Sequence, residues 1–150
     1  MKNIFSLFLA SILLLSVFSC KEDDSLAISQ DQLLRSGKWQ LKEIRKTKGN
    51  ITETDKLLSC ERQSTLDFSD VKNYNSNMYK TEKGNCVQEQ TTGTYVYNTS
   101  KTKRLLTMSL NDTTYNYYVK QLDPKYLILQ DTLSKVDTIK LRLQVFEIVK

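Results

Sequence analysis

The feature that most constrains this chain is the two-residue spacing of its apolar side chains after Gly37. Near the end of the chain, one side of the segment Thr138 to Val145 presents Ile139, Leu141, Leu143 and Val145, and the other presents Lys140, Arg142 and Gln144. Such alternation is typical of a β-strand with one buried face. Apolar side chains then appear on the previously polar side at Phe146 and Ile148, which predicts a bulge or bend near Val145.

Seven further segments have strand-like composition and spacing: Lys38 to Arg45, Gln63 to Ser69, Asn73 to Lys80, Thr92 to Asn98, Arg104 to Leu110, Thr114 to Lys120 and Lys125 to Gln130. Turn-forming residues lie between them, at Gly49-Asn50, Gly84-Asn85, Asn98-Thr99-Ser100, Asn111-Asp112 and Asp123-Pro124. The expected fold is all-β, either an eight-stranded up-and-down antiparallel barrel or a sandwich. We favour the barrel because the connections after Gly93 are short, as in neighbouring hairpins.

One short helix is predicted before the first strand, from Ser29 to Ser36. Ser29 and Gln32 have the spacing of a capping box, and Gly37 suits the left-handed conformation that often ends a helix. The folded domain is therefore expected to span residues 29–150.

The first 19 residues are predicted to be a lipoprotein signal peptide. Lys2 precedes an apolar run from Ile4 to Phe18, which is short for a permanent membrane span. Val17-Phe18-Ser19-Cys20 resembles the lipobox of bacterial lipoproteins, which implies lipid attachment at Cys20 and a membrane anchor of several acyl chains, such as palmitate. The alternative is an ordinary secretory signal with a chance cysteine at its end.

Residues 20–28 are expected to be a lipidated cysteine and an acidic tether. Lys21-Glu22-Asp23-Asp24 resembles the signal that sends some lipoproteins to the outer leaflet, so the expected location is the outer membrane or cell surface. A charged run at this point is also typical of a solvated spacer.

Two cysteines remain after Cys20, and an exported chain with two cysteines favours a disulfide between Cys60 and Cys86. Two free buried thiols are the alternative. A zinc site is a poorer interpretation, because two thiolates without histidine leave the metal shell incomplete.

Composition excludes several kinds of chemistry. The chain has no histidine, which rules out Ser-His-Asp and Cys-His catalysis and histidine-ligated metals. We find no nucleophile elbow or phosphate loop, and predict no cofactor and no metal site. The net charge of +5 becomes +4 without Lys2 and is spread along the chain, so no nucleic-acid partner is expected.

Tyrosines are concentrated in the second half of the chain. Tyr95 and Tyr97 share one strand face, as do Tyr115 and Tyr117. Such a row could line a pocket for an amphipathic ligand, with the rings supplying area and the hydroxyls supplying orientation. The alternative is ordinary packing, because tyrosine is a strong strand former.

A short helix, then Gly37-Lys38-Trp39 at the first strand, then a meander of about eight strands resembles the lipocalin family. The lipobox, the pair Cys60 and Cys86 and Gly93-Thr94-Tyr95 are similar to small bacterial lipocalin-like lipoproteins. The resemblance implies that Gly37 and Trp39 pack at one end of the barrel. It also makes Arg142 the match for an arginine that stacks over the tryptophan, although alternation places Arg142 opposite Leu141 and Leu143.

The sequence therefore predicts a lipid-anchored, non-enzymatic envelope protein whose barrel binds a small apolar or amphipathic ligand. The alternative is a protein-interaction module, such as a hydrolase inhibitor or an accessory subunit of an envelope complex. Cavity volume distinguishes the two, since a filled barrel would leave only its loops for a partner.

Overall fold

A computed structural model describes residues 30–49, 51–100, 103–134 and 140–149. Residues 30–34 are helical and form α1. The strands are β1 Lys38–Lys48, β2 Ile51–Asp55, β3 Thr65–Asp67, β4 Asn73–Glu82, β5 Asn85–Ser100, β6 Lys103–Leu110, β7 Thr113–Leu122, β8 Tyr126–Ser134 and β9 Lys140–Val149. A 3₁₀ turn, Glu61–Gln63, lies between β2 and β3.

The strands form a closed antiparallel barrel. From β3 to β9 each strand pairs with the next in the chain, and β1 closes the ring by pairing with both β3 and β9. Closure removes the exposed edges that an open sheet would leave. The expected eight-stranded up-and-down barrel is therefore confirmed.

Strand β2 was not predicted from the sequence. Its residues, Ile51–Asp55, form a hairpin with β1 and are almost all exposed, so no apolar alternation marks them. β2 and β3 lie one after the other along the same edge of β1. The barrel consequently keeps eight positions in its wall although nine strands are present.

One predicted turn and one predicted strand boundary differ from the structure. Asn98-Thr99-Ser100 is not a turn, because these residues pair with β6 to the end of β5. β5 also begins at Asn85, seven residues before the predicted start, directly after the turn at Lys83 and Gly84. The polar residues at both ends of this long strand conceal its length, because they face solvent and show no apolar spacing.

The β1–β9 ladder is irregular near Val145, as predicted, but the extra residue is Lys42 of β1, which lies opposite Val145 and Phe146. β9 itself keeps its alternation through this point and pairs without interruption with β8 from Tyr126 to Asp131. Phe146 is fully buried, and Gln144 faces the barrel interior in phase with it. The polar side of β9 therefore faces inward, which the sequence analysis had assigned the other way.

The disulfide between Cys60 and Cys86 is present, with 5.6 Å between the Cα atoms. It joins the segment after β2 to the start of β5. Cys86 lies opposite Thr81 of β4, so the bond attaches this segment to the β4–β5 hairpin. The predicted pairing of the two cysteines is confirmed.

Candidate functional site

One end of the barrel is closed by a packed floor. Trp39 is completely buried, and its indole nitrogen donates a hydrogen bond of 2.8 Å to the carbonyl of Leu34 in α1. Gly37 approaches β9 so closely that a Cβ on it would lie 3.1 Å from the side chain of Ile148. Helix α1, β1 and β9 thus meet around the tryptophan with no space between them.

Tyr95 belongs to this floor. Its ring packs edge-on against Phe68 with 5.0 Å between the ring centroids. Its hydroxyl donates a hydrogen bond of 2.9 Å to the carbonyl of Asp70. Burial raises the pKa of the Tyr95 hydroxyl. Tyr95 is therefore placed in the packed core and lies outside the walls of the two cavities described below.

Tyr97 follows Tyr95 on the inner face of β5, and among the described residues its buried hydroxyl has no hydrogen-bond partner. Burial raises the pKa of this hydroxyl, and the nearby Arg104 lowers it in part. Tyr97 packs against the core cluster and is also absent from the cavity walls described below.

The other half of the barrel is open inside. A cavity of about 220 Å³ lies among the inner faces of β3 to β9. Tyr115 and Tyr117 both line it, so the structure brings together two of the four predicted tyrosines here. Its other lining residues are Leu66, Tyr74, Ser76, Met78, Glu89, Thr91, Met108, Leu110, Leu129 and Gln144.

A second cavity of about 480 Å³ adjoins the first and shares Met78 and Gln144 with it. It is lined in addition by Leu41, Ile44, Asp55, Lys56, Leu57, Glu61, Ser64, Tyr79 and Phe146. The smaller cavity lies within the lumen of the barrel, and the larger one extends from the lumen to the segment after β2. Both have apolar and polar walls, so the lumen suits a molecule that is itself amphipathic.

A polar cluster lies beside the lumen at the side chains of Tyr117, Asp131 and Arg142. Arg142 donates two hydrogen bonds to the Asp131 carboxylate, from Nε to Oδ1 at 3.2 Å and from Nη2 to Oδ2 at 2.6 Å. Burial is the main cause of the raised pKa of Tyr117, followed by the Asp131 carboxylate, while Arg142 opposes the shift. The opposite charges of Asp131 and Arg142 balance, so the cluster carries no net charge while it offers hydrogen bonds to a ligand.

Arg142 does not stack over the tryptophan. Trp39 pairs with Ile148 across β1 and β9, whereas Arg142 pairs with Lys46, near the other end of the same ladder. Since the register fixes this separation, the role that the family resemblance implied for Arg142 is corrected. Arg142 holds Asp131 instead.

Sequence reasoning missed Met78, Gln144, Asp131 and Arg142. One signal was present: Phe146 is apolar and shares its strand face with Gln144 and Arg142, so a buried Phe146 places both polar residues inside. The bulge inferred near Val145 concealed this. Met78 gave no signal, because its neighbours on β4 are all polar.

Within the described residues, no three metal-ligating side chains come together, and no helix has the length and apolar character to cross a membrane.

The closed antiparallel barrel, packed at one end and hollow in the other half, has the architecture of a binding domain. A family model for the lipocalin-like domain matches residues 36–129, well over half of the 150-residue chain. The chain therefore belongs to the lipocalin-like domain family. No curated protein matched the sequence.

Proposed function

We propose that this protein is a lipid-anchored lipoprotein of the outer membrane or cell surface whose barrel binds a small amphipathic ligand without chemical conversion. The observation that carries the binding role is the pair of adjoining cavities, of about 480 and 220 Å³, on the inner face of the barrel. Pockets for small molecules are typically a few hundred Å³ or more. A protein-interaction module with a filled barrel would lack this space.

The anchor part of the proposal rests on residues 1–29, which lie outside the described residues. Gln30, where the described chain begins, donates from its side-chain amide to the carbonyl of Leu122 at 3.5 Å, close to the packed floor. A tether of residues 21–28 would span at most about 29 Å when fully extended. The floor would then face the membrane, and the cavities would face away from it.

Fluorescence titration with 11-(dansylamino)undecanoic acid tests the binding role. Met78→Trp fills the space shared by both cavities, so we expect at least tenfold weaker binding of the probe. Asn77→Trp is the matched control, because Asn77 is the neighbour of Met78 on β4 and its amide accepts a hydrogen bond from Gln88 on the opposite, outer face. Equal affinity of the Met78 variant and wild type for the probe would contradict luminal binding.

Replacing Cys20 by Ala tests the anchor. The variant precursor should carry no acyl label and should not fractionate with membranes, because the thiol that accepts the lipid is gone. The barrel domain itself should keep its affinity for the dansyl probe. Persistent acyl labelling of the Cys20 variant would show that the anchor proposal is wrong.

A further inference from the structure

The wall of the barrel has a break between β2 and β4. β3 pairs with β4 only at Thr65–Asp67, and β2, which continues the same line along β1, pairs with β1 alone. Over most of their length β2 and β4 lie farther apart than the roughly 4.8 Å of paired strands. The wall is therefore open on this side, beyond the point where β3 ends.

Residues 56–64, here called the strap, span this break. The 3₁₀ turn within the strap packs on both β1 and β4. On the β1 side, the amide of Leu41 donates to the Ser64 carbonyl at 2.8 Å, and the Gln40 side chain donates to the Arg62 carbonyl at 2.9 Å. On the β4 side, the amide of Tyr79 donates to the Ser64 hydroxyl at 2.9 Å.

The disulfide is the second attachment on the β4 side, because Cys86 lies opposite Thr81 of β4. Without it, the strap would remain bonded to β1, but on the β4 side it would be held by non-covalent contacts alone, chiefly the hydrogen bond from the Tyr79 amide to the Ser64 hydroxyl. The covalent bond thus holds the strap across the break.

The larger cavity extends through the break and is not confined to the lumen. Its inner wall is formed by inward-facing residues of β1 and β9, among them Leu41 and Phe146. Its outer wall includes four strap residues and Tyr79, which alternates away from the inward-facing Met78 on β4. A cavity limited to the lumen would be lined by inward-facing residues only.

We infer that the larger cavity is a side-access site, in which the chain of a single-chain amphiphile lies in the barrel and its head lies under the disulfide-clipped strap. This inference rests on the proposed binding function and adds the route and the class of ligand. The inner end is apolar at Leu41 and Phe146, which suits a hydrocarbon chain.

The outer end sets the chemistry of the head. Lys46 forms a 2.7 Å ion pair with Asp55, and the same rim carries Lys56 and Glu61. Two positive and two negative side chains give no net charge. A head that is uncharged or zwitterionic and forms hydrogen bonds fits this rim, whereas a head with a net charge meets a like charge as often as an opposite one.

Isothermal titration calorimetry with n-dodecylphosphocholine below its micellar concentration tests the site. Leu57→Trp and Ile44→Trp each block the larger cavity alone, and Leu110→Trp blocks the smaller one alone. We expect at least tenfold weaker binding for the first two and less than threefold change for the third. Two variants in the larger cavity are included because Leu57 is buried and its replacement could impair folding.

Two results would overturn the inference. If Leu110→Trp alone weakens binding, the ligand uses the barrel mouth, and the binding function survives without side access. If wild type ignores dodecylphosphocholine but binds the dansyl probe in a manner sensitive to Met78→Trp, the ligand class is wrong. Absence of binding by both probes would instead refute the proposed function itself.

Stopped-flow dissociation of the amphiphile tests the strap. Cys60→Ser with Cys86→Ser should raise the dissociation rate at least fivefold, because the strap loses its covalent attachment on the β4 side. Wild type treated with a phosphine reductant under folding conditions should behave alike, which covers the case of a poorly folding variant. An unchanged rate in protein shown to be reduced and folded would refute the role of the disulfide.

Discussion

The packed floor and the hollow half of the barrel are both formed by inward-facing residues of the barrel. At the floor, Trp39 of β1 and Phe68, just after β3, are completely buried. In the hollow half, the inward-facing residues Ser76, Met78 and Gln144 line the smaller cavity. The number of wall strands is the same in both halves. The size and polarity of the inward side chains therefore decide whether the lumen is filled or empty.

The floor and the hollow half also differ in the partners of their polar groups. In the floor, the Trp39 indole and the Tyr95 hydroxyl each have a backbone carbonyl as partner. In the hollow half, polar groups such as Asp131 and Arg142 pair with each other beside open space. The Tyr97 hydroxyl, which is buried on the core side with no hydrogen-bond partner among the described residues, is an exception. Polar groups beside open space can exchange solvent for a ligand.

Truncation of the floor should have the largest effect. Trp39→Ala removes the largest buried side chain and leaves a cavity among α1, β1 and β9, so we expect a loss of about 3–5 kcal/mol in the free energy of unfolding. Urea denaturation measures it. Tyr118→Ala, on a half-exposed side chain of β7, is the control and should cost less than about 1 kcal/mol. Equal losses would mean that the floor is not the centre of stability.

Loss of the disulfide should come next. Cys60→Ser with Cys86→Ser opens a loop with a sequence separation of 26 residues, and the chain-entropy model predicts a loss of about 3–4 kcal/mol. Urea denaturation with and without reductant measures it, and reduced wild type should match the double variant. If reductant leaves the stability of wild type unchanged, the strap adds nothing to the fold and the hollow half is stable without it.

The boundary between the two halves is tested at Gly93. A Cβ there would collide with the carbonyl oxygen of Ser109 and lie 2.7 Å from Cε1 of the Tyr74 ring. Gly93→Ala should therefore cost about 1–3 kcal/mol, as overpacking does. Thr94→Ala, the exposed neighbour, is the control and should stay within about 0.5 kcal/mol. If the free energy of unfolding of the Gly93 variant equals that of wild type, β5 and β6 can move apart at this boundary to accommodate the Cβ atom.

The smallest effect is expected at the polar cluster of the hollow half. The raised pKa of Tyr117 stabilises the fold below the ordinary tyrosine pKa of about 10, and this contribution is lost as pH rises towards the folded value. Asp131→Asn removes a carboxylate that raises this pKa and leaves Arg142, which lowers it. The pKa of Tyr117 should therefore fall towards its ordinary value.

Spectrophotometric titration of tyrosine ionisation measures this change, and Tyr117→Phe identifies the contribution of that residue. Burial is the larger cause of the shift and remains in the Asp131 variant, so only part of the shift should disappear. A higher pKa in Asp131→Asn would contradict the arrangement of the three side chains beside the lumen.

Much of the fold follows from local pattern. Alternation located β1, β4, β6 and β7 to within a few residues, and the turn residues Asn111-Asp112 and Asp123-Pro124 separate strands as predicted. β2 was not predicted because all but one of its residues are exposed, and an exposed hairpin strand needs no apolar spacing. The four predicted tyrosines share the inner face, and Tyr115 and Tyr117 line the smaller cavity. Tyr95 packs instead on Phe68, and Tyr97 packs against the core cluster, so contacts with distant segments decide between the two outcomes.

The sequence by itself determined an all-β barrel with a short helix and a single disulfide, because period, turn residues and cysteine number act locally or by count. It also determined the motif of residues 17–20 on which the anchor proposal rests. Only the tertiary structure decided which face of β9 lies inside, where the wall breaks between β2 and β4, and that the strap covers this break. Those features depend on register and on the meeting of distant segments, and the spacing within one strand carries no information about either.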